Sequence, residues 1–427
     1  MGDTRVSKTF AAVDIGSFRT SAMIVGQDES GALTVLGSSH RASQGVRRGY
    51  VTQIHGASFA VRDAVERAER EAQVAVGRVW VGCSAAGLHS RIERVDIEIG
   101  GRRVEEEDID SLLYAARLHI QPEGRTVLHA QPAHYTLDGA HGVAEPRGLH
   151  AETLGVDVHV MLADGPPVRN LIEAVQHAHL DVEEVVASPL AASAACLTRE
   201  ERELGVALVE LGADVTNVSV HAAGMILGMR AIPFGAGGIT DAVASHFGIR
   251  RKHAERLKCV SGSAIATPSD HKEMVCVFSP TDEDADEVTV RGADDRNRVP
   301  RAELVTVVTD QLAQLTAALG DALRELGFGH ARAGKVVLTG GGAELAGIAD
   351  YVQGALARPV RIGRPPALPG LPAAHAGPGF TVLAGLCLYA ADPPHDIRAA
   401  GHAAQAAADP RKGSAFERLL RAVRAYF

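Results

Sequence analysis

Residues 10–27 read "FAAVDIGSFRTSAMIVGQ", and residues 205–226 read "GVALVELGADVTNVSVHAAGMI". Each is an apolar run, a tight glycine turn and a second apolar run, which is the pattern of strand, turn, strand. V-D-I-G-S at 13–17 is answered by V-E-L-G-A at 209–213. Such an echo implies one supersecondary unit used twice, and so a chain built from two related halves. In both copies an acid stands two residues before the glycine. Bare backbone at these turns lets N–H groups approach phosphate oxygens, and glycine tolerates the positive φ this requires. An acidic side chain at the strand end can hold a hydrated Mg²⁺ against those phosphates.

A third glycine turn, "LTGGGAEL" at 338–345, also follows an apolar strand. One such turn alone is most simply a hairpin. Three in this order, two of them sharing an acid-x-Gly core, make a far more specific signal. Helical spacing marks residues 56–76, and an acidic first turn opens a helix in "VEEEDIDSLLYAARLHI" at 104–120. The apolar stripe from Leu304 to Leu326 reads as the core face of a long helix, and "FTVLAGLCLYAA" at 380–391 as a buried one. "DEDADE" at 282–287 reads as a solvated acidic loop.

Composition narrows the class. Hydrophobic residues make up 46% of the 427 and charged residues 22%, enough for a sizeable core. The net charge of −9 argues against a generic nucleic-acid binder. Five cysteines with no C-x-x-C spacing fit a reduced cytoplasm, with neither a disulfide frame nor a zinc site. His129, His134, His141 and His150 lack H-E-x-x-H spacing and read as surface or satisfied histidines. Ser188 in "SPLAAS" has no nucleophile signature. The N-terminus lacks the apolar stretch of a signal peptide, and no uncharged run reaches the ~18 residues of a membrane span.

The three turns resemble those of the actin-like ATPase superfamily, and further stretches narrow the resemblance to the bacterial cell-division family FtsA. These are "ASQGVRRGYVTQIHGASFAVRDAVERAE" (42–69), "VWVGCSAAGLHSRIERVDIEI" (79–99), "ASPLAASAACLTREERELGVALVELG" (187–212) and "RAIPFGAGGITDAVASHFGI" (230–249) followed by "AERLK" (254–258). The resemblance covers essentially the whole chain. It implies an α/β, actin-like fold of two related halves around a nucleotide cleft, with the FtsA-type inserted subdomain. The cofactors it implies are ATP and Mg²⁺. By position, Asp14, Gly16 and Ser17 belong to phosphate loop one, and Gly212, Thr216 and Asn217 to loop two. Gly235, Gly237 and Gly238 sit where family glycines approach phosphate, Glu255 and Lys258 flank ribose and base, and Gly340, Gly341 and Gly342 form the adenosine turn. Asp14 and Glu210 are the candidates to hold Mg²⁺ through water. Glu210, Ala213, Asp214 and Asn217 depart from the family's Asp-rich and Gly-rich second loop, so ATP turnover is expected to be weak at most, and no catalytic residue is assigned.

The expected layout is a first actin-like subdomain at 7–83 with 163–204 and 378–392, and an inserted subdomain at 84–162. The second half comprises 205–243 with 331–377 and a small subdomain at 244–330. Residues 393–413, "PPHDIRAAGHAAQAAADPRKG", have almost no large apolar residue and read as a flexible linker. The end, 414–427, turned by about 100° per residue, gathers Phe416, Leu419, Leu420, Val423, Tyr426 and Phe427 on one arc, with Arg418, Arg421 and Arg424 on the rest. A basic two-faced helix after such a tether suits the interface of an anionic membrane. The resemblance implies a protein that polymerises on the cytoplasmic face of the cell inner membrane at the division site. There it anchors FtsZ and meets other division proteins, with Arg301 as a basic contact for the FtsZ C-terminal peptide. The rival readings are an FtsA-like scaffold of a pilus or secretion system, which ordinarily lacks this tail, and a small-molecule kinase, for which no sugar-site motif is present.

Overall fold

A computed structural model describes residues 6–84, 87–277, 298–330 and 334–398. The chain forms two compact units. The first comprises residues up to 91, 124–128 and 161–393; the second comprises 92–123, 129–160 and the segment from 394.

The sequence echo becomes a topological one within the first unit. Strands Lys8–Ile15, Arg19–Gln27 and Leu33–Ala42 form an antiparallel meander, and Arg78–Cys83 then Asp181–Ala187 add in parallel beside Lys8–Ile15. In the second half, Val206–Leu211, Thr216–Ala222 and Met225–Ile232 form the same meander. Lys335–Thr339 then Val360–Ile362 add in parallel beside its first strand. The register matches as well: Asp14 faces Ser21 across the first hairpin, and Glu210 faces Asn217 across the second. Near-continuous burial of Val206–Leu211 and Thr216–Ala222 reflects cover on both sheet faces, which is why these strands read as apolar runs rather than as alternation.

Helices supply that cover. Ile54–Ala72 buries Ala57, Ala60, Val61, Ala64, Val65 and Ala68 on one stripe against the first sheet. Arg301–Glu325 does the same for the second sheet with Leu304, Val308, Leu312, Leu315 and Leu319. Between the two sheets lie helices Ser188–Cys196 and Thr381–Ala391, sharing a third core with Met23, Leu208 and Val337. Their approach is close enough that a Cβ on Gly385 would stand 1.9 Å from the Ala191 carbonyl oxygen, so only glycine fits there. The described parts of 244–330 belong to the first unit, and their helices share the core of the second sheet.

The second unit holds most of strands His89–Glu98, Thr153–Ala163 and Thr126–Leu137 and all of Ala140–Val143, which lie side by side in that order, with helix Glu106–His119 in the same unit. The helix start follows from its acids: Glu105 N–H donates to Asp108 Oδ2 at 2.9 Å, and Asp108 also accepts Arg102 Nη1 at 2.6 Å.

One expectation is corrected here. The segment read as a flexible linker from 393 is docked at its start. Asp396 and Ile397 are buried, and Ile397 N–H donates to Ala130 O at 3.0 Å. Low hydrophobicity concealed this, because a buried ion pair and a backbone bond do the holding. The remainder of 393–413 and the terminal stretch 414–427 lie outside the described residues. Among the described residues no helix is long and apolar enough to cross a membrane.

Candidate functional site

Both hairpin turns close in the same way. Gly16 N–H donates to Arg19 O at 3.0 Å, and Gly212 N–H donates to Val215 O at 3.0 Å. Each turn places its acid at the end of a buried strand, facing one cleft of about 290 Å³. That volume is at the lower end of the range for small-molecule sites. The third turn arrives from Lys335–Thr339. Gly340 has φ +85°, and a Cβ there would meet the Leu211 carbonyl oxygen at 2.5 Å, so the turn is pressed against the end of the second hairpin's first strand. Gly341 has open space where a Cβ would point.

Of the expected site residues, Asp14, Gly16, Ser17, Glu210, Gly212, Gly237, Glu255, Lys258, Gly340, Gly341 and Gly342 line this cleft. Four do not, each for a stated physical reason. Thr216 Oγ1 donates to Phe234 O at 2.7 Å and is buried. Asn217 Nδ2 donates to Glu210 Oε2 at 3.1 Å, so it stands behind the acid rather than in the cleft. Gly235 is wedged against the backbone of Gly212 and Ala213, and Gly238 lies against the Phe234 ring. The amides of this region are also engaged: Ala236 N–H donates to Gly212 O at 2.9 Å, Gly237 N–H to Ala213 O at 2.6 Å and Gly238 N–H to Gly235 O at 3.0 Å. The glycines here serve close packing of loop on helix start, and these three N–H groups are not held open for an anion.

Lys258 is buried, with Nζ donating to Ala236 O at 3.2 Å, Thr240 Oγ1 at 2.8 Å and Glu255 Oε2 at 2.7 Å. Burial pushes the Glu255 carboxyl up, but Lys258 and the hydroxyl of Thr240 outweigh it and hold it below its ordinary value. The pair is an internal brace at the cleft wall. Arg301, expected as a basic contact for the peptide, is engaged within its own fold: Nη1 donates to Glu273 at 2.6 Å, and Nε lies 3.5 Å from Asp270. An acidic peptide would have to displace two carboxylates to use it.

The electrostatics of the two acids differ. Burial pushes Asp14 up to about 6, against the pull of the Arg19 guanidinium. Burial pushes Glu210 up to about 8, and hydrogen bonds from Asn217 and Ser84 only partly oppose this while Asp14 adds to it. Two carboxyls that are costly to ionise, lining one cleft, form a donor set suited to a hard divalent cation, whose charge would favour both carboxylates. The residues fit Mg²⁺ held by Asp14 and Glu210, directly or through water.

Several cleft residues escaped the sequence reading. Arg19 ends the first turn and stacks on Phe380 with its guanidinium carbon 3.9 Å from the ring centroid. It lies inside the quoted turn and could have been found by following that turn to its last residue. Glu344 follows the triple glycine by two positions and lines the same cleft. Ser84 was invisible. It follows the strand that runs parallel beside Lys8–Ile15, with Asp14 level with Gly82, and donates to Ser188 Oγ at 2.5 Å and Glu210 Oε1 at 3.4 Å. Asp214, a departure that threatened repulsion at the phosphates, accepts the Arg48 N–H at 2.9 Å and thereby ties the second turn to the segment after the first meander.

Comparison with known proteins gives this arrangement a context. The family described as "SHS2 domain inserted in FTSA" matches residues 85–162, and that described as "Cell division protein FtsA" matches 207–385. The chain is 34% identical to cell division protein FtsA of Rhizobium meliloti (strain 1021) over 393 residues, covering 90% of this chain and 87% of the relative. It is 27% identical to cell division protein FtsA of Escherichia coli (strain K12) over 383 residues, covering 90% of each. Among solved structures it resembles a chain of the PilM-PilN type IV pilus biogenesis complex, with TM-score 0.61 and 16% identity over 90% of this chain and 99% of that one. It also resembles ethanolamine utilization protein EutJ from Carboxydothermus hydrogenoformans, with TM-score 0.52 and 15% identity over 91% of this chain and 92% of that one. At such identities these likenesses speak to fold alone, and the fold is the actin-like one with an inserted SHS2 domain.

Proposed function

The chain belongs to the FtsA family of cell-division proteins, and on that premise we propose that it binds ATP with Mg²⁺ in the cleft between its two hairpin turns. From that state it polymerises on the cytoplasmic membrane and anchors FtsZ there. The observation that carries the nucleotide reading is convergence: three glycine turns far apart in sequence meet around one cleft, which is lined by Asp14 and the buried Glu210. Asp14 and Glu210 hold the cation, and Arg19 and the open Gly341 backbone are positioned for an anion. Mg²⁺ supplies neutralisation of phosphate charge when bound.

Turnover is slow in this reading. Glu210 is committed to the cation and to its donors Asn217 and Ser84, so it is not free to accept a water proton. Rapid turnover on the order of 10 s⁻¹ would contradict it.

Membrane attachment rests on the terminal sequence. Six apolar side chains at roughly 1.5–3 kcal/mol each, before incomplete burial and ordering costs, give one tail only modest affinity. A filament adds avidity by presenting many tails together. The FtsZ peptide is assigned to the 244–330 region without reliance on Arg301. Sedimentation with anionic liposomes, with and without ATP, tests the whole reading. Phe416→Glu with Leu420→Glu is expected to abolish pelleting while leaving thermal stability and nucleotide binding unchanged. A double variant that still pellets, and loses many degrees of stability, would make the tail a packed element of the fold.

A further inference from the structure

The second unit contains a built contact that the nucleotide cleft does not use. Ala130 offers both backbone groups to the C-terminal segment: its N–H donates to Asp396 Oδ2 at 3.2 Å, and its carbonyl accepts Ile397 N–H at 3.0 Å. Around this pair, Arg398 Nε lies 3.0 Å from both Asp396 oxygens, and Arg398 Nη2 lies 2.8 Å from Oδ2. His129 Nδ1 approaches the same oxygen at 3.4 Å. His129 is fully buried, Ile397 is 2% exposed and Asp396 8%. The strand Thr126–Leu137 has room for this strap at Ala130, because its short neighbour Ala140–Val143 pairs with it only at Tyr135 and Leu137.

A segment that merely trailed away would have no cause to bury a carboxylate, since that is costly unless the charge is paired and hydrogen-bonded. Here it is both. The chain has left helix Thr381–Ala391 in the first unit only a few residues earlier, so its next fixed point lies in the second unit.

We propose that this clasp of His129, Ala130, Asp396, Ile397 and Arg398 is the fixed root of the C-terminal tether, so that the membrane-binding tail is paid out from the inserted domain. This rests on the membrane reading above. The residues beyond the clasp, 399–413, include no large apolar side chain. A tail rooted there ties the second unit to the lipid surface. Burial pushes the Asp396 carboxyl up, but His129 and Arg398 hold it down to about 2, so the clasp keeps its charge throughout the physiological range.

The test uses full-length protein carrying a fluorophore at position 114 through a non-natural amino acid. Tyr114 is 62% exposed and lies on the second unit's helix. Vesicles contain phosphatidylglycerol, phosphatidylethanolamine and a rhodamine-labelled lipid. Asp396→Asn is expected to speed amide exchange at Ile397 and Ala130 at least tenfold and to lose energy transfer to the vesicle, while pelleting as the wild type does. Arg398→Ala, at the rim of the clasp, should shift both readouts the same way and decides the matter if Asp396→Asn misfolds. Unchanged exchange in both variants would overturn the clasp. Faster exchange with unchanged transfer would overturn its role as the root. Wild-type protein that fails to bind vesicles at all would overturn the membrane reading and this proposal with it, whereas binding with unchanged transfer overturns this proposal alone.

Discussion

The two hairpins share a turn, a register and a sheet topology, yet they treat their acids differently. Asp14 faces the small Ser21 and has a guanidinium nearby in Arg19. Glu210 faces Asn217 and has only neutral donors, the Asn217 amide and the Ser84 hydroxyl. Both are raised by burial, Asp14 to about 6 and Glu210 to about 8. A repeated backbone thus fixes where an acid stands, while its neighbours decide whether it stands there charged. Glu210, without a guanidinium beside it, is the costlier of the two to ionise. A cation entering the cleft would offset that cost most at the second hairpin.

The largest effect that would sharpen this contrast is expected at the first hairpin's acid. Asp14→Asn should weaken Mg²⁺–ATP binding at least ~100-fold, about 3 kcal/mol, in a fluorescent-nucleotide titration. A loss under threefold would remove Asp14 from cation binding.

The second effect belongs to Glu210 and has a definite sign in pH. A carboxyl whose folded-state value is raised stabilises the fold fully below its unfolded value near 4. That contribution is lost as pH rises through about 6 for Asp14 and about 8 for Glu210. The ligand-free protein should therefore lose thermal stability from these groups between pH 5 and 8, and Mg²⁺ should restore part of it. Glu210→Gln removes the larger cost and should raise the ligand-free midpoint at pH 8 by ~2 °C or more, while weakening Mg²⁺–ATP binding. An unchanged midpoint across that pH range in the wild type would show that Glu210 is not held protonated.

The smallest effect concerns the neighbour. Asn217→Ser gives the second hairpin the kind of residue the first has at Ser21. It removes one hydrogen bond to Glu210, which should cost about 1 kcal/mol near pH 8, where the carboxylate needs that donor, and less at pH 5. Urea titrations at both pH values separate these outcomes, and equal losses would mean that Asn217 acts by packing alone.

Much of this was legible in the sequence because the signals were local. The acid-x-Gly turns, the triple glycine and the apolar stripe of the long helix each report their own surroundings, and eleven of the named site residues line the cleft. What escaped was set by distant pairing. Ser84 reaches Glu210 across 126 residues of chain, a contact between strand ends of different sheets that no spacing in the chain encodes. Gly235 and Gly238 were read as phosphate-facing because glycine has two uses, close packing and anion approach, which look identical in a sequence. The ion pairs of Arg301 were not legible because its partners Asp270 and Glu273 lie some thirty residues away in the chain. The strap at Asp396 and Ile397 was hidden by its own composition.

In the proposed reading the cleft takes a divalent cation with its nucleotide by deprotonating the second hairpin's acid. Isothermal calorimetry of Mg²⁺–ATP binding at pH 7, repeated in buffers of different ionisation enthalpy, counts the protons exchanged. Binding is expected with net release of close to one proton, reduced in Glu210→Gln, because burial raises the Glu210 carboxyl to about 8 and the cation would displace its proton. Binding without proton release, or no binding at millimolar Mg²⁺–ATP, would contradict it.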